Sequence, residues 1–285
     1  MARTVGIGHQ DFGQVIQSNC FYIDKTGFIR EWWENQDAVT LITRPRRFGK
    51  TLNLSMMEHF FSVDYADKGH LFEGLSIWQK KSPDGAKSPE GDYKYRGLQG
   101  PYPVISLSFA DVKAQLFSDA RKMICQIIAN LYNKYDFLLK SGCLNENEQA
   151  SYRQVSAEME DYMAAASLKT LADYLSRYYG KKVIILLDEY DTPMQEAYVY
   201  GYWPEIVGFI RALFNSTFKT NPFLERAIMT GITRMSKESI FSDLNNLEVV
   251  TTTSEKNPDS FGFTEAEVFA ALDEFGVISI IPGPS

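Results

Sequence analysis

The sequence predicts an α/β fold of three layers: a mainly parallel, five-stranded sheet with helices on both faces. Two features carry this expectation. Five short β-like runs are spaced through the chain, and several are continuously apolar, as strands buried on both faces of a parallel sheet are. Helix-like segments separate these runs, and strands alternating with helices build a covered parallel sheet. The 285 residues are 45% apolar and 14% aromatic. That supplies a core for one large domain, or one domain plus a fragment, and excludes a wholly disordered chain.

The first run, residues 39–43, is followed by a helix over 51–61. The second, 103–109, leads into a long helical stretch over 111–140, where Ile124, Ile127, Ile128 and Leu131 recur at helical spacing. Segments 145–166 and 168–179 read as helices ahead of the third run, 182–187. A helix over 203–219 separates it from the fourth, 227–230, and the fifth is 247–252. Residues 79–100 are rich in Lys, Ser, Gly, Pro and Asp and read as a surface loop. A second linker-like stretch covers 254–260. Thr264 and Glu267 then make a Thr-x-x-Glu capping pattern that opens another helix, to 275. The expected organisation is a core domain over 1–253 and, over 254–285, the start of a C-terminal helical element that reads as truncated.

Composition narrows the function classes. The formal charge of −7 argues against broad, nonspecific nucleic-acid binding by the whole surface, and leaves room for a local basic site. Cys20, Cys125 and Cys143 are odd in number and widely spaced, without a CxxC. They suit a reducing compartment better than a disulfide framework or a zinc site. His9, His59 and His70 are too scattered for a metal cluster. The chain opens without a secretory apolar segment. Its longest purely apolar run, 183–187, falls far short of the ~20 residues of a membrane span. A soluble cytoplasmic protein with no membrane partner is expected.

The sharpest motif follows the first run: Arg44-Pro-Arg-Arg-Phe-Gly-Lys-Thr51. A P-loop reads GxxxxGK[ST] between a strand and a helix. Gly49, Lys50 and Thr51 match, and Arg44 stands where the general motif has its first glycine. Gly49 lets backbone N–H groups turn towards a phosphate. The following helix adds free N–H groups and the positive end of its dipole. Lys50 would reach the β- and γ-phosphates and Thr51 would put its hydroxyl on Mg²⁺. Arg44, Arg46 and Arg47 add positive charge around the same loop.

A phosphate loop needs a second oxygen donor for its metal. The third run supplies Asp188, followed by Glu189. An apolar strand ending in Asp-Glu is the Walker B pattern, and it delivers Asp188 to the C-terminal edge of the sheet. Asp188 would hold Mg²⁺, and Glu189 would polarise the attacking water as general base. The competing reading is a strand ending in a solvated acidic turn. Asp191 either helps or caps the turn before Pro193. A glutamate beside the aspartate is what hydrolytic P-loop ATPases of the additional-strand class show. In that layout the fourth run lies between the first and third and points at the γ-phosphate. Thr230 or Thr233 could then orient water, and Arg234 could stabilise charge on the phosphoryl oxygens. A surface ion pair is the alternative role for Arg234.

Six segments, taken in order, carry a resemblance: Tyr22-Ile-Asp-Lys-Thr26, the 44–51 loop, Leu71-Phe-Glu-Gly-Leu75, Leu187-Asp-Glu-Tyr-Asp191, Thr230-Gly-Ile-Thr-Arg234 and Phe261-Gly-Phe-Thr264. Together they resemble the bacterial AAA-ATPase-like family, whose P-loop domain is usually followed by a nuclease-like domain of the PD-(D/E)xK type. The resemblance implies ATP binding along Arg44, Pro45, Arg46, Arg47, Phe48, Gly49, Lys50 and Thr51, with Mg²⁺ on Thr51 and Asp188. It makes Glu189 and Arg234 the catalytic candidates. Tyr22, Asp24 and Lys25 are candidates near the base, or else only cap the next helix. No nuclease-type constellation is present, so nuclease activity is not carried over.

Three functions stay open. One is a Mg²⁺-dependent ATPase acting as a switch or motor. Another is a nucleotide-gated module with little hydrolysis, working on a protein partner or through self-association. The third is the ATPase part of a nucleic-acid-processing system. For the last, Lys80, Lys81, Lys87, Lys94 and Arg96, interleaved with Tyr93 and Tyr95, form a basic aromatic loop; a solvated loop is its plainer reading. ATP is favoured over GTP by the resemblance and by the lack of an Asn-Lys-x-Asp guanine motif.

Overall fold

Apolar runs in this chain become strands because both of their faces are covered. The computed structural model describes residues 3–78, 95–232, 240–241 and 244–277. Its five strands are β1 (Val39–Thr43), β2 (Val104–Ser108), β3 (Val183–Asp188), β4 (Leu224–Gly231) and β5 (Leu247–Val250). They pair in parallel in the order β2-β3-β4-β1-β5. The expected α/β sandwich is present, and β4 lies between β1 and β3.

Side-chain alternation sorts the strands into two cores. Val183, Ile185 and Leu187 face one side of β3, and Ile184 and Leu186 face the other. The first side is covered by α4 (Phe117–Lys134), α6 (Asp161–Tyr179), α7 (Thr192–Tyr200) and α8 (Trp203–Phe218), with α5 (Glu146–Arg153) packed outside through Tyr152. The second side is covered by α1 (Phe12–Gln17), α2 (Gly27–Asn35) and α3 (Lys50–Phe61). This layer is aromatic: Phe60 meets Phe61 and Phe72 edge-on at 5.1 and 5.0 Å, and Trp33 stacks on Phe61 at 5.4 Å. Arg226, on β4, donates to the carbonyls of Trp32 and Trp33 and lies 4.4 Å from the Trp33 ring centre, tying α2 to the sheet.

Several expected boundaries shift. The stretch over 111–140 is helical only over Phe117–Lys134, followed by a 3₁₀ turn over Asp136–Lys140. The helices expected over 145–166 and 168–179 instead break at 154–160. Helix α6 runs straight through Ser167, because the buried hydroxyl donates to the Ala164 carbonyl within the helix. Helix α1 was not expected. It has one and a half turns, too few for a periodic signal, and is set by its Asp11 cap and by Phe12. The expected loop over 79–100 lies largely outside the described residues, as do Thr233 and Arg234 and the last eight residues.

The capping pattern at Thr264 holds. Thr264 and Glu267 form a reciprocal box at the start of α9 (Glu265–Glu274). Helix α9 buries none of its own residues, so it is held by specific contacts. The Lys25 ammonium, 8% exposed, donates to the Glu267 carboxylate at 2.7 Å and to the Asp259 carbonyl at 2.6 Å. Arg3 pairs with Glu274 at 2.8 Å, and Phe21 meets Phe275 edge-on at 5.2 Å. Phe261 packs on Phe28 at 5.1 Å, and Asn53 donates to the Ser260 carbonyl at 2.7 Å. The two ends of the described chain are therefore tied to each other, and Asn53 ties the later one to α3.

Two stability outcomes follow. Phe60→Ala, which empties a fully buried ring position, should destabilise the fold by about 3–5 kcal/mol in denaturant titration. Burial raises the Glu267 carboxyl, but the bonds from Lys25 and Thr264 outweigh this and hold it below its ordinary 4.5. A carboxylate held low stabilises the folded chain above that value, and the contribution is lost as pH falls through the folded-state value. Glu267→Gln should therefore melt earlier than the native chain at pH 7. The gap should close as pH is lowered below the ordinary 4.5 in a thermal titration.

Candidate nucleotide-binding site

The expected phosphate loop connects β1 to α3 at the C-terminal edge of the sheet. Pro45, Arg46, Arg47, Phe48 and Gly49 are exposed, while Arg44 and Lys50 on either side are buried. Gly49 caps α3 at φ 76°, in the left-handed region that suits glycine and turns the chain into the helix. The first N–H groups of α3 have no partner within the helix, and a helix start of this kind is a usual seat for an anion.

Lys50 sits inside the loop that it follows. Its ammonium donates to the carbonyls of Arg44 and Pro45, both at 2.9 Å. Burial pushes its pKa down, against the opposing pull of Asp188, Glu189 and Asp191. Arg46 and Arg47 leave their side chains at the surface around the loop. Arg44 does not: its guanidinium is buried and donates to the carbonyls of Thr43 and Val250. In the sequence all three arginines read as charge around the loop, because a residue type carries no direction.

The acidic partner converges on the same point. Thr51 Oγ1 donates to Asp188 Oδ2 at 2.6 Å across 137 residues of sequence. The other carboxylate oxygen accepts the Thr230 hydroxyl, from β4, and the Glu189 N–H at 3.0 Å. Glu189 has φ 47°, and its Oε2 accepts the Thr192 hydroxyl at 3.2 Å. Asp191 is fully buried and accepts from the Ile232 N–H at 3.0 Å and from Gln195 at 2.9 Å, so it shapes the backbone at the end of β4.

Thr51 and Asp188 offer two hard oxygens within one hydrogen-bond length. This suits Mg²⁺, which keeps several waters and completes its shell with phosphate oxygens. Among the described residues no group of three His, Cys, Asp or Glu side chains could hold a metal by itself. The donor set fits an ion that arrives with a phosphate ligand. Among the described residues no helix is long and apolar enough to cross a membrane.

Beside Gly49 opens a cavity of about 230 Å³. Val15, Tyr22, Phe48, Leu52 and Phe263 give it a mostly apolar lining. One wall is the N-terminal segment, the other the stretch around Gly262. Gly262 donates to the Phe48 carbonyl at 3.1 Å, and a Cβ there would stand 2.9 Å from the Phe48 ring, so glycine is required by close approach. The sequence reading pointed to Tyr22 and Lys25 but not to Leu52, Asn53 or Phe263. Leu52 and Asn53 follow directly on the loop motif, which was the available signal. Asp24 spends its carboxylate locally, accepting from Thr26 at 2.6–2.8 Å and from the Ser76 N–H at 2.6 Å, which favours the capping role for that residue.

Comparison with known proteins agrees with this geometry. A family model described as AAA-ATPase-like, "Predicted AAA-ATPase", matches residues 6–241. A curated protein of Azotobacter chroococcum mcd 1, "Uncharacterized protein in vnfD 5'region", is 28% identical over 275 residues. The match covers 95% of this chain and 45% of that protein, so the chain spans less than half of its relative's length. No solved structure matches the chain. The family match takes in the phosphate loop, the Asp188–Glu189 pair and β1 to β4. On that span of agreement, the chain belongs to the AAA-ATPase-like family.

Proposed function

We propose that this chain is a Mg²⁺-dependent ATPase module, binding ATP on the 44–51 loop and coupling its hydrolysis to a mechanical or switching task. The observation that carries the reading is the 2.6 Å contact between Thr51 and Asp188, which unites the two motifs at the sheet edge. The family membership supports nucleotide binding in general.

In this reading the N–H groups of the loop and of the first turn of α3 cradle the phosphates. Lys50 exchanges its carbonyl partners for β- and γ-phosphate oxygens. Thr51 and Asp188 would hold Mg²⁺, which when bound would supply charge neutralisation to the phosphates. Thr230 and the Glu189 N–H keep the Asp188 carboxylate aimed. Glu189 accepts the proton of the attacking water once its carboxylate leaves Thr192. The apolar cavity beside Gly49 receives the base. Arg234 remains the candidate for stabilising charge on the phosphoryl oxygens.

One observation favours a slower, gated variant. The Glu189 carboxylate is bonded to Thr192 at the start of α7, so the base must be released before it can act. Single-turnover hydrolysis at rising protein concentration separates the two readings. A rate that climbs with concentration indicates a neighbouring copy completing the site; a slow, flat rate indicates the gated module.

Saturating Mg²⁺–ATP should raise the melting temperature by about 5 °C, since a ligand confined to the native state stabilises it by mass action. Lys50→Ala should abolish that shift. Glu189→Gln should keep the shift and lose turnover by about 10²-fold or more in a phosphate-release assay. Unchanged turnover in Glu189→Gln removes Glu189 as the base.

A further inference from the structure

Arg44 occupies the first position of the phosphate loop, where the general motif has glycine, yet it is only 3% exposed and its neighbours in the loop are at the surface. Its Nη1 donates to the Thr43 carbonyl at 3.2 Å and to the Val250 carbonyl at 3.1 Å. The guanidinium carbon lies 5.5 Å from the centre of the Phe261 ring. The backbone of the same residue is equally engaged. Its N–H donates to the Gly231 carbonyl at 3.2 Å, and its carbonyl accepts the Lys50 ammonium at 2.9 Å.

Those contacts meet at a place the sheet leaves weak. Val250 is the last residue of β5, an edge strand of only four residues paired to β1 alone. Residues 45–49 are exposed, so packing cannot hold them. The far end of the loop is tied by the Gly262 bond to Phe48, one residue beyond Phe261. The near end is tied by Arg44. A planar fork that can lie over a ring while donating in its plane suits two carbonyls and one aromatic neighbour; a lysine ammonium can bond but cannot lie flat on the ring in the same way. A buried guanidinium is costly unless its surroundings accept its N–H groups, and here strand-end carbonyls do so.

We propose that Arg44 is a positioning residue for the phosphate seat: its guanidinium ties the entry of the loop to the end of β5 and to Phe261, and thereby fixes the two carbonyls that hold the Lys50 ammonium. The consequence for binding rests on the nucleotide reading given above. The consequence for the loop itself does not. Arg44 acts through the backbone of residues 44 and 45 and through Lys50, without touching phosphate.

The test compares the native chain with Arg44→Ala and Arg44→Lys. Hydrogen exchange on the ligand-free proteins reads the loop with no nucleotide present. In Arg44→Ala the amides of residues 53–56, the first hydrogen-bonded amides of α3, should exchange about tenfold faster, with Arg44→Lys between, while β2 and β3 keep native rates. Calorimetry should then give about tenfold weaker Mg²⁺–ATP binding for Arg44→Ala and partial rescue in Arg44→Lys. Native exchange over 53–56 overturns the proposal. So does an equal acceleration everywhere, which marks Arg44 as a general stabiliser. Native Mg²⁺–ATP affinity in Arg44→Ala also overturns it. A native chain that binds no Mg²⁺–ATP instead refutes the nucleotide reading, and the exchange comparison still decides the role of Arg44. Should Arg44→Ala fail to fold, Arg44→Lys carries the same comparison.

Discussion

The candidate site depends on one carboxylate. Asp188 is 7% exposed, and burying its charge without partners would be prohibitive. It is tolerated because three donors converge: the Thr51 hydroxyl, the Thr230 hydroxyl and the Glu189 N–H. They come from the segment after β1, from β4 and from the end of β3. That convergence requires the order β3-β4-β1 and one register. Leu187 pairs with Met229, which sets Asp188 beside Thr230. Thr43 pairs with Gly231, which brings the phosphate loop to the same level. A slip of one residue would turn Thr230 to the opposite face and leave the carboxylate short of a donor. The two apolar cores enforce that register from both sides, so packing and chemistry demand the same alignment.

The charge distribution follows from this arrangement. The chain as a whole is acidic at −7, and the carboxylates of Asp188, Glu189 and Asp191 gather at the sheet edge. Lys50 lies within their field and also feels Arg46, which stands with Arg47 at the surface of the loop. A triphosphate carried with Mg²⁺ would enter between basic loop and acidic strand end, each of which complements one half of it. The −7 therefore says little about the site, where the basic loop and the acidic strand end meet.

What was legible in the sequence was what depends on residue type and short-range order. The five strands were readable because their apolar runs are continuous, and the α3 start because Gly49-Lys-Thr follows a strand directly. The pairing of Thr51 with Asp188 was implied by motif logic, and the contact is present. The direction of Arg44 was not legible: an arginine among arginines suggests a phosphate ligand, and only the neighbouring carbonyl of Val250, 206 residues away, reveals another use. Helix α1 and the early start of β4 at Leu224 were missed for a related reason. Each is set by tertiary contacts: α1 by Phe12 in the aromatic layer, and Leu224 by its pairing with Val183. The join between Lys25 and Glu267 lay equally out of reach: Lys25 read as a base-site or capping candidate and Glu267 as a capping partner of Thr264, and nothing in the sequence pairs them across 242 residues.

Backbone strain marks where this architecture is under load. Among the described residues six that are not glycine have positive φ, and two of these, Arg47 at 68° and Glu189 at 47°, sit in the phosphate loop and at the proposed base. Such conformations cost roughly 1 kcal/mol or more apiece and persist only where neighbouring bonds hold them. Around Glu189 those bonds are its own N–H on Asp188 and its carboxylate on Thr192. The first draws the backbone towards the Asp188 carboxylate, and the second draws the side chain towards α7. The strained turn that ends β3 thus joins the Asp188 carboxylate to the start of α7, three residues later, through the single residue Glu189.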